Sequence, residues 1–318
     1  MGVAAEQASI LVIRGGAIGD FILTLPVLAA LRSAFPRTRL EVLGYPHIAQ
    51  LATFGGLADE VRSIEAAALA GFFARDGRLD EALQTYFSGF AIIISYLYDP
   101  DCIFQSNIAR CSKAQFIAGP HRPNENTALP ATRAFLRPLE RLAIFEADPV
   151  PRLPNETLCL ERCSPSASLL LAVHPGSGSE RKNWPEEKWA ELLREIIRRA
   201  SLQLLLVGGE AEGERLPRLT KVLPADRVQI AYNLPLPKLA ERLAQCDCFV
   251  GHDSGIAHLA AAIGLPVLAL WGDSTESVWR PQGEKVFILK NAFGLKELPV
   301  PEVLQGLDQL LSWTKSGD

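Results

Sequence analysis

Short apolar runs alternate with longer amphipathic segments along almost the whole chain. Apolar runs of about four to eight residues bounded by turn residues predict buried strands, and apolar positions three and four apart predict amphipathic helices. Regular alternation of the two is typical of parallel sheets with helices on both faces. The pattern therefore predicts an α/β protein.

The alternation occurs in two blocks. In the first block the predicted strands are 10–14, 40–44, 61–64, 91–96 and 115–119, and the predicted helices are 20–33, 80–87 and 134–142. In the second block the predicted strands are 168–173, 202–207, 227–230, 248–250, 266–271 and 285–289, and the predicted helices are 185–199, 236–245, 255–263 and 301–313.

A proline-rich stretch separates the two blocks, with Pro149, Pro151, Pro154 and Pro165 close together. Proline interrupts both helix and sheet, so this stretch is predicted to be a linker. The expected domains are residues 1–150 and 151–318, both doubly wound. Sheets of this kind bind ligands at the carboxyl ends of their strands, which is where candidate site residues are expected.

Composition narrows the class of protein. Hydrophobic residues make up 48% and charged residues 21% of the 318 residues, as in ordinary globular proteins. The 32 Lys and Arg residues are outnumbered by 36 Asp and Glu residues, so the net charge is −4 and general nucleic-acid binding is disfavoured. The apolar runs are too short for a membrane span, and the first residues lack a signal-peptide pattern. A cytoplasmic location is expected.

Six cysteines are scattered along the chain and are expected to be free thiols. The two close pairs are Cys159 with Cys163 and Cys246 with Cys248. Neither has the CxxC spacing, and no nearby histidine completes a zinc set, so a metal site there is disfavoured.

The first candidate motif is RGGAIGD, which follows the first predicted strand and contains Gly15, Gly16, Gly19 and Asp20. Its spacing matches neither the dinucleotide fingerprint nor the phosphate loop. Asp20 would lie near a helix N-terminus, where an aspartate is most often a cap. An ionised carboxylate there would equally suit a general base.

The second motif, HPGSGSERKNWP, follows the strand that opens the second block. Its small residues would let an anion approach the main chain, while Ser177 and Lys182 would supply a hydroxyl and a positive charge. A polar surface turn has a similar composition, so anion binding and a solvated turn both stay open.

The third motif, GHDSGIAH, combines a strand end, a turn at Asp253, Ser254 and Gly255, and a predicted helix with His258 in its first turn. Free backbone N–H groups at a helix start bind phosphate well. A metal site formed by His252, Asp253 and His258 is disfavoured, because neighbouring side chains on a strand point apart.

A further strand end, GGEAEGE, places Glu212 after two glycines. A carboxylate in this position commonly accepts both ribose hydroxyls of a nucleotide. An exposed glutamate on a helix face has the same sequence signature, so both interpretations stand.

Taken together in this order, RGGAIGD, HPGSGSERKNWP, GGEAEGE and HDSGIAHLAAAIGLPVLALWG resemble glycosyltransferase family 9, the heptosyltransferases. The resemblance implies the GT-B architecture, two Rossmann-like domains facing a central cleft, with the acceptor bound by residues 1–150 and the donor by 151–318. It implies that the last helix, 301–313, packs back on the first domain. It also implies inverting, metal-independent transfer without a cofactor, typically of heptose from ADP-heptose to the inner core of lipopolysaccharide.

The resemblance also assigns roles to residues. Asp20 would be the catalytic base, and Lys182 with Ser177 would stabilise the departing diphosphate. Ser254, Gly255 and His258 would bind phosphate. Asp253 would contact the sugar or the ribose, and Glu212 the ribose.

The acceptor side departs from the family pattern. Many members carry Asp-x-Gln-Gly after the fourth strand, whereas this chain reads SYLYDPDCIFQSN. Residues 102–141 hold six cations (Arg110, Lys113, Arg122, Arg133, Arg137 and Arg141) and two anions (Glu125 and Glu140). An acidic saccharide or a phospholipid headgroup would suit this excess, with Gly19, Arg122, Arg133 and Arg137 as candidate acceptor contacts, although a solvated basic face explains it equally well.

The function expected from the sequence is an inverting glycosyltransferase that uses a nucleotide-sugar donor and a lipid-linked saccharide acceptor, with peripheral contact at the inner face of the inner membrane. The alternatives are a nucleotide-sugar epimerase or hydrolase of the same fold and a non-catalytic two-lobed sugar-binding protein.

Overall fold

The computed structural model describes residues 9–155, 158, 169–199, 202–221 and 223–315. The chain divides into two compact units, Met1–Pro149 and Val150–Asp318. The boundary lies one residue from the end of the predicted first domain. Cys159, Cys163 and Pro165, together with the first residue of the strand predicted at 168–173, lie outside the described residues.

The first unit is built on a five-stranded sheet in the order β3-β2-β1-β4-β5, in which all neighbours are parallel. The strands are β1 (Ser9–Arg14), β2 (Arg39–Gly44), β3 (Glu60–Ser63), β4 (Ile92–Ser95) and β5 (Gln115–Ala118). The helices are α1 (Ile18–Ile22), α2 (Leu25–Ala34), α3 (Pro46–Phe54), α4 (Glu81–Ser88), α5 (Ile103–Ala109) and α6 (Ala131–Leu136). Short 3₁₀ stretches are Ala67–Phe73, Glu125–Thr127 and Arg137–Leu142.

The second unit is built on a six-stranded parallel sheet in the order β11-β10-β9-β6-β7-β8. The strands are β6 (Leu170–His174), β7 (Gln203–Gly208), β8 (Val228–Tyr232), β9 (Cys248–His252), β10 (Val267–Trp271) and β11 (Val286–Lys290). The helices are α7 (Glu186–Arg199), α8 (Arg215–Thr220), α9 (Leu236–Ala244), α10 (Gly255–Ala262), α11 (Glu276–Trp279) and α12 (Val300–Lys315). The 3₁₀ stretches are Glu180–Lys182, Glu210–Glu212, Ala225–Arg227 and Leu295–Glu297.

Both sheets are buried on their central strands, as parallel sheets covered by helices require. Leu11 and Ile13 of β1 are fully buried and belong to a core cluster with the aromatic residues Phe72, Phe87 and Phe104. These buried strands hold their carboxyl ends at fixed positions, and the motif residues follow directly from those ends.

The last helix, α12, packs on elements of its own unit. It contacts α7, β9, β10 and β11, and its Val303, Leu307 and Leu310 are buried there. Its predicted packing on the first domain stays a prediction.

The helices predicted at 20–33 and 134–142 are each divided. The first breaks between Ile22 and Leu25, where Thr24 donates its hydroxyl proton to the carbonyl of Asp20 at 2.8 Å and Pro26 lacks a backbone N–H. The second begins earlier, at Ala131 directly after Pro130, and continues beyond Leu136 as a 3₁₀ stretch that contains Pro138. The helices that the sequence pattern missed are α3, α5, α8 and α11, which span nine residues or fewer. So few turns leave little periodicity to detect.

Within the described part of the chain, Cys102, Cys111, Cys246 and Cys248 are free, as predicted. Over the same residues, no helix has both the length and the apolar character needed to cross a membrane.

Candidate functional site

Four neighbouring strands of the second sheet, β10, β9, β6 and β7, bring their carboxyl ends together at one edge. Each strand is followed by a loop that carries a candidate residue: Ser274 after β10, Asp253 after β9, Lys182 after β6 and Glu212 after β7. Ligands of open α/β sheets bind at this edge. The fold therefore gathers most of the predicted donor residues at one place.

Lys182 and Asp253 form an ion pair in which Lys182 Nζ lies 2.6 Å from Asp253 Oδ2. The hydroxyl of Ser274 donates to the same carboxylate oxygen. The Asp253 side chain is 8% exposed, whereas that of Lys182 is 41% exposed. The buried carboxylate thus holds the lysine in place, while part of the lysine side chain stays exposed.

Ser274, which the sequence analysis missed, is itself fixed by the loop after β10. The indole N–H of Trp271 donates to the Ser274 carbonyl at 2.8 Å. The sequence signal for this residue would have been its position after the end of a buried strand, the same signal that identified Asp253.

Ser254 caps α10. Its hydroxyl oxygen accepts the N–H of Ala257 at 3.4 Å and lies 3.3 Å from Nδ1 of His174. Gly255 is the first residue of the helix, and His258, in its first turn, is buried. The turn is a helix start, as the motif predicted. A helix start favours an anion, and the phosphate contact of these residues stays a prediction.

Glu212 is buried, at 6% exposure, and faces the loop after β6. Its Oε2 accepts the N–H of Gly209 at 2.7 Å, and its Oε1 lies 3.8 Å from Nε2 of His174. A Cβ on Gly176 would come within 2.0 Å of Oε1, so any larger residue there would displace the Glu212 carboxylate. The interpretation of Glu212 as an exposed helix-face residue is therefore wrong.

His252 and His174 end β9 and β6 and are fully embedded. His252 donates from Nδ1 to the carbonyl of Gly176 at 3.1 Å, and its Nε2 accepts the backbone N–H of Trp184 at 2.9 Å and the indole N–H of Trp189 at 3.3 Å. Both ring nitrogens are used as in a neutral imidazole. Burial lowers the pKa of His252 to about 4 and that of His174 to about 3. The histidines brace the loop after β6, a role that sequence reasoning did not assign.

The loop after β6 is also closed by its own polar groups. Ser177 is buried, and its hydroxyl donates to the carbonyl of Ser179 at 2.7 Å and lies 2.8 Å from Oδ1 of Asn183. Arg215, another residue without an assigned role, donates to the carbonyl of Pro175 at 3.3 Å. Ser177 therefore shapes this loop, and its predicted contact with a diphosphate stays a prediction.

No group of three or more His, Cys, Asp and Glu side chains suited to a metal ion occurs among the described residues. Asp253 of the disfavoured metal set is instead bound to Lys182, and His252 is bound to the backbone and to a tryptophan indole.

In the first unit Asp20 lies in α1, after the end of β1. Its Oδ2 accepts the N–H of Ala17 at 3.1 Å, and its Oδ1 lies 3.7 Å from Nη2 of Arg14. Gly16 has φ +99°, a left-handed conformation that favours glycine, and a Cβ there would lie 3.0 Å from Oδ2. The side chain of Asp20 is 30% exposed. It thus bonds to the helix N-terminus, as a capping residue does, and keeps part of its carboxylate accessible.

Arg14 was not singled out by sequence reasoning, although a charged residue inside a buried strand is an informative signal. It is 2% exposed, and burial lowers the pKa of its guanidinium, while Asp20 favours the charged form. Arg14 donates to the carbonyls of His121 at 2.9 Å and Asp20 at 3.3 Å. It therefore connects the loops after β1 and β5.

The other acceptor-side residues lie on the surface of the first unit. Gly19 lies within α1, and Arg122 forms an exposed ion pair with Glu125 at 2.8 Å. Arg133 and Arg137 are exposed and four residues apart, at α6 and the 3₁₀ stretch that follows it. All six cations of residues 102–141 are exposed, which fits both an acidic ligand and a solvated face.

The sequence and the structure were compared with known protein families and solved structures. Residues 156–305 match the model of glycosyltransferase family 9 (heptosyltransferase). Lipopolysaccharide heptosyltransferase 2 of Salmonella typhimurium is 28% identical over 159 residues, which cover 48% of this chain and 45% of that enzyme. The matched segment is thus less than half the length of that relative.

Two solved structures share the fold. A family 9 glycosyltransferase from Veillonella parvula superposes with a TM-score of 0.76 at 17% identity, covering 98% of this chain and 99% of that one. An Escherichia coli heptosyltransferase solved with ADP superposes with a TM-score of 0.72 at 17% identity, covering 95% and 99%. These likenesses and the two parallel sheets confirm the predicted α/β fold of the GT-B class with two Rossmann-like domains. The resemblance that the sequence motifs indicate is confirmed as well, because residues 156–305, a little under half of the chain, match the model of glycosyltransferase family 9.

Proposed function

We propose that this protein is an inverting glycosyltransferase that moves heptose from ADP-heptose to a lipid-linked saccharide such as the inner core of lipopolysaccharide. The observation that carries the proposal is the Lys182–Asp253 pair beside the Ser254 turn and the buried Glu212, all at one sheet edge. The family match to residues 156–305 covers this edge.

The second unit would bind the donor. Lys182 supplies a positive charge and α10 supplies the backbone N–H groups of its first turn, with Gly255 at the start and His258 nearby, which together suit a diphosphate. Glu212 presents a carboxylate of the kind that accepts ribose hydroxyls. Asp253, anchored by Ser274, would orient the sugar or the ribose. An E. coli heptosyltransferase of the same fold was solved with ADP, which agrees with this assignment.

The first unit would supply the base. Asp20 Oδ2 is held by the Ala17 N–H, and the partly exposed carboxylate would accept the proton of the acceptor hydroxyl. As that oxygen bonds to the anomeric carbon, the bond from this carbon to the diphosphate oxygen breaks on the opposite face and the configuration inverts. The charge that develops on the departing ADP would be stabilised by Lys182, with Ser177 shaping the loop that carries it. In this proposal the transfer needs neither a metal ion nor a cofactor.

The acceptor would be anionic and would lie at the inner face of the inner membrane, contacted peripherally. Exposed Arg133 and Arg137, with Arg122 and Gly19, offer the basic surface that supports this part of the proposal.

The test is transfer from ADP-heptose to heptose-deficient lipopolysaccharide, with wild type compared with Asp20→Asn. Loss of the base is expected to lower kcat by about 10²- to 10⁴-fold. The affinity for ADP, measured by calorimetry, should stay within about twofold, because no proposed donor contact is changed. Asp101→Asn, at an exposed aspartate of the same unit, is the matched control and should transfer as wild type does. Full turnover by Asp20→Asn would remove Asp20 from its role.

Product analysis separates this function from its alternatives. An epimerase or hydrolase would change ADP-heptose without forming a glycan product, and a binding protein would bind the donor without turnover. Transfer of heptose to the saccharide excludes both.

A further inference from the structure

Two exposed aromatic rings lie together at the carboxyl edge of the first sheet. Tyr98 follows β4 and His121 follows β5, and these two strands are neighbours. Their ring centroids are 4.6 Å apart with an interplanar angle of 64°. Tyr98 is 71% exposed, and His121 is exposed as well. Most of the tyrosine ring is therefore exposed to solvent. It adds little of the stability that an aromatic side chain provides when it is buried.

Buried Arg14 connects this pair to Asp20. One guanidinium nitrogen donates to the His121 carbonyl at 2.9 Å, and another donates to the Asp20 carbonyl at 3.3 Å and lies 3.7 Å from the Asp20 carboxylate. The guanidinium carbon lies 4.5 Å from the ring centroid of Phe135, which is fully buried. A cation held against a core aromatic ring has little freedom to move, so the backbone of His121 and the carboxylate of Asp20 share one rigid anchor.

The ring of Phe135, against which Arg14 packs, is itself held by Tyr96. Tyr96 donates its phenolic proton to the carbonyl of Phe135 at 2.6 Å, and its ring packs edge-on against that of Phe135. Tyr96 is buried at the end of β4, two residues before Tyr98. The exposed pair, the arginine and the candidate base therefore rest on one packed set of side chains.

We propose that Tyr98 and His121 form the subsite that binds a sugar ring of the acceptor, and that Arg14 is the positioning residue that keeps this subsite in register with Asp20. The inference rests on the proposed function and names its acceptor contact. Sugar rings present apolar C–H faces that pack on aromatic rings, while the phenol and the imidazole can hydrogen bond to hydroxyl groups. Arg14 contacts both the His121 backbone and Asp20, so we expect a sugar ring packed on this pair to bring a hydroxyl group towards Asp20.

The kinetic test varies heptose-deficient lipopolysaccharide at saturating ADP-heptose. Tyr98→Ala should raise the KM for lipopolysaccharide about tenfold, whereas Tyr98→Phe, which keeps the ring, should change it less than about threefold. Both variants should keep the wild-type affinity for ADP. Phe145→Ala is the matched control, because Phe145 is an equally exposed aromatic residue of the same unit, at 72%, and it should behave as wild type.

Arg14→Met tests the positioning role. It should lower kcat and raise the KM for lipopolysaccharide together, with the ADP affinity unchanged, because the anchor joins the base to the subsite but touches no donor residue. Arg14→Lys, which keeps a charge of shorter reach, should recover part of kcat. A parallel loss of ADP affinity, or no recovery by lysine, would overturn the positioning role.

Direct binding separates failure of the inference from failure of the proposed function. The probe is the oligosaccharide released from the same lipopolysaccharide, and its binding is followed by saturation-transfer NMR. If wild type transfers no heptose, the proposed function fails, and the subsite is still supported when Tyr98→Ala loses the oligosaccharide signal that wild type and Phe145→Ala give. The subsite is overturned if wild type neither binds nor transfers, or if Tyr98→Ala binds and transfers as wild type does.

Discussion

Lys182 and Asp253 lie 2.6 Å apart, between Nζ and Oδ2, although they follow different strands, β6 and β9. The carboxylate is nearly buried and also accepts the hydroxyl proton of Ser274, so its position is fixed by the second unit. The lysine is partly exposed, and its charge lies beside Asp253, two residues before the first residue of α10. A side chain that is flexible on most surfaces is thereby preorganised for an anion.

Lys182→Ala is expected to weaken ADP binding by about 10- to 100-fold, in line with a charge-assisted hydrogen bond of about 1.5–3 kcal/mol. Adenosine, which lacks the diphosphate, should bind within about twofold of wild type. Calorimetric titration of both ligands measures the difference, and Lys296→Ala, at an exposed lysine of the same unit, is the control. Equal losses of affinity for ADP and adenosine would contradict the assignment of Lys182 to the diphosphate.

Gly176→Ala is expected to act like a change at Glu212, because the added Cβ would lie 2.0 Å from Glu212 Oε1 and displace the carboxylate. Both Gly176→Ala and Glu212→Gln should weaken adenosine and ADP about tenfold and leave pyrophosphate unaffected, since the ribose contact alone is lost. The double variant should be no weaker than either single variant.

The loop itself offers the control for this experiment. Gly178→Ala lies two residues further on, where no atom of the described residues lies within 4 Å of the added Cβ, and it should bind as wild type does. Additive losses in the double variant, or an equal loss in Gly178→Ala, would show that the loop and not Glu212 was disturbed.

The strands were predictable because buried strands appear in the sequence as short continuous runs of apolar residues. The predicted strand at 266–271 corresponds to β10, Val267–Trp271, which is buried at every residue. Short helices such as α8 and α11 depend on contacts with the rest of the unit and carry too little periodicity of their own. The motif residues were found because they follow strand ends, which a sequence pattern locates well.

The bracing residues were not predictable in the same way. His252 is linked to Trp184 across 68 residues of sequence, and Arg14 to His121 across 107. Such partners are set by strand order, and the sequence pattern does not determine which strands become neighbours. Glu212 shows the same limit, since the pattern allowed both a buried and an exposed carboxylate until the contact with Gly209 was known.

Like the equally buried His174, His252 is expected to lower the free energy of unfolding as pH falls from about 6.5 towards 4. Burial lowers its pKa to about 4 in the folded protein, whereas an exposed histidine of the unfolded chain has a pKa of about 6.5. Within this window the unfolded chain binds more protons than the folded protein, so acid favours unfolding. Urea unfolding at pH 7 and pH 5 measures the loss, which should be smaller in His252→Gln. His47→Gln, at an exposed histidine, should keep the wild-type difference, and an unchanged difference in His252→Gln would contradict the assignment.

Glu41 is expected to lower the free energy of unfolding as pH rises, which is the opposite direction to the effect of His252. It is 1% exposed, beside a cavity of about 200 Å³ at the start of β2. Tyr86 donates its phenolic proton to the carboxylate, and Arg39 and Arg62 lie 3.3 Å and 3.7 Å from it. Burial raises the pKa of Glu41 despite these partners.

The folded protein therefore keeps the Glu41 proton to higher pH than the unfolded chain, and this contribution to stability is lost as pH rises through the folded-state pKa. Glu41→Gln removes the titration, so its stability relative to wild type should increase between pH 5 and pH 7, measured by urea unfolding. Glu65→Gln, at an exposed glutamate of the same unit, is the control and should show no such increase. A stability difference between Glu41→Gln and wild type that is the same at both pH values would mean that burial does not govern this carboxylate.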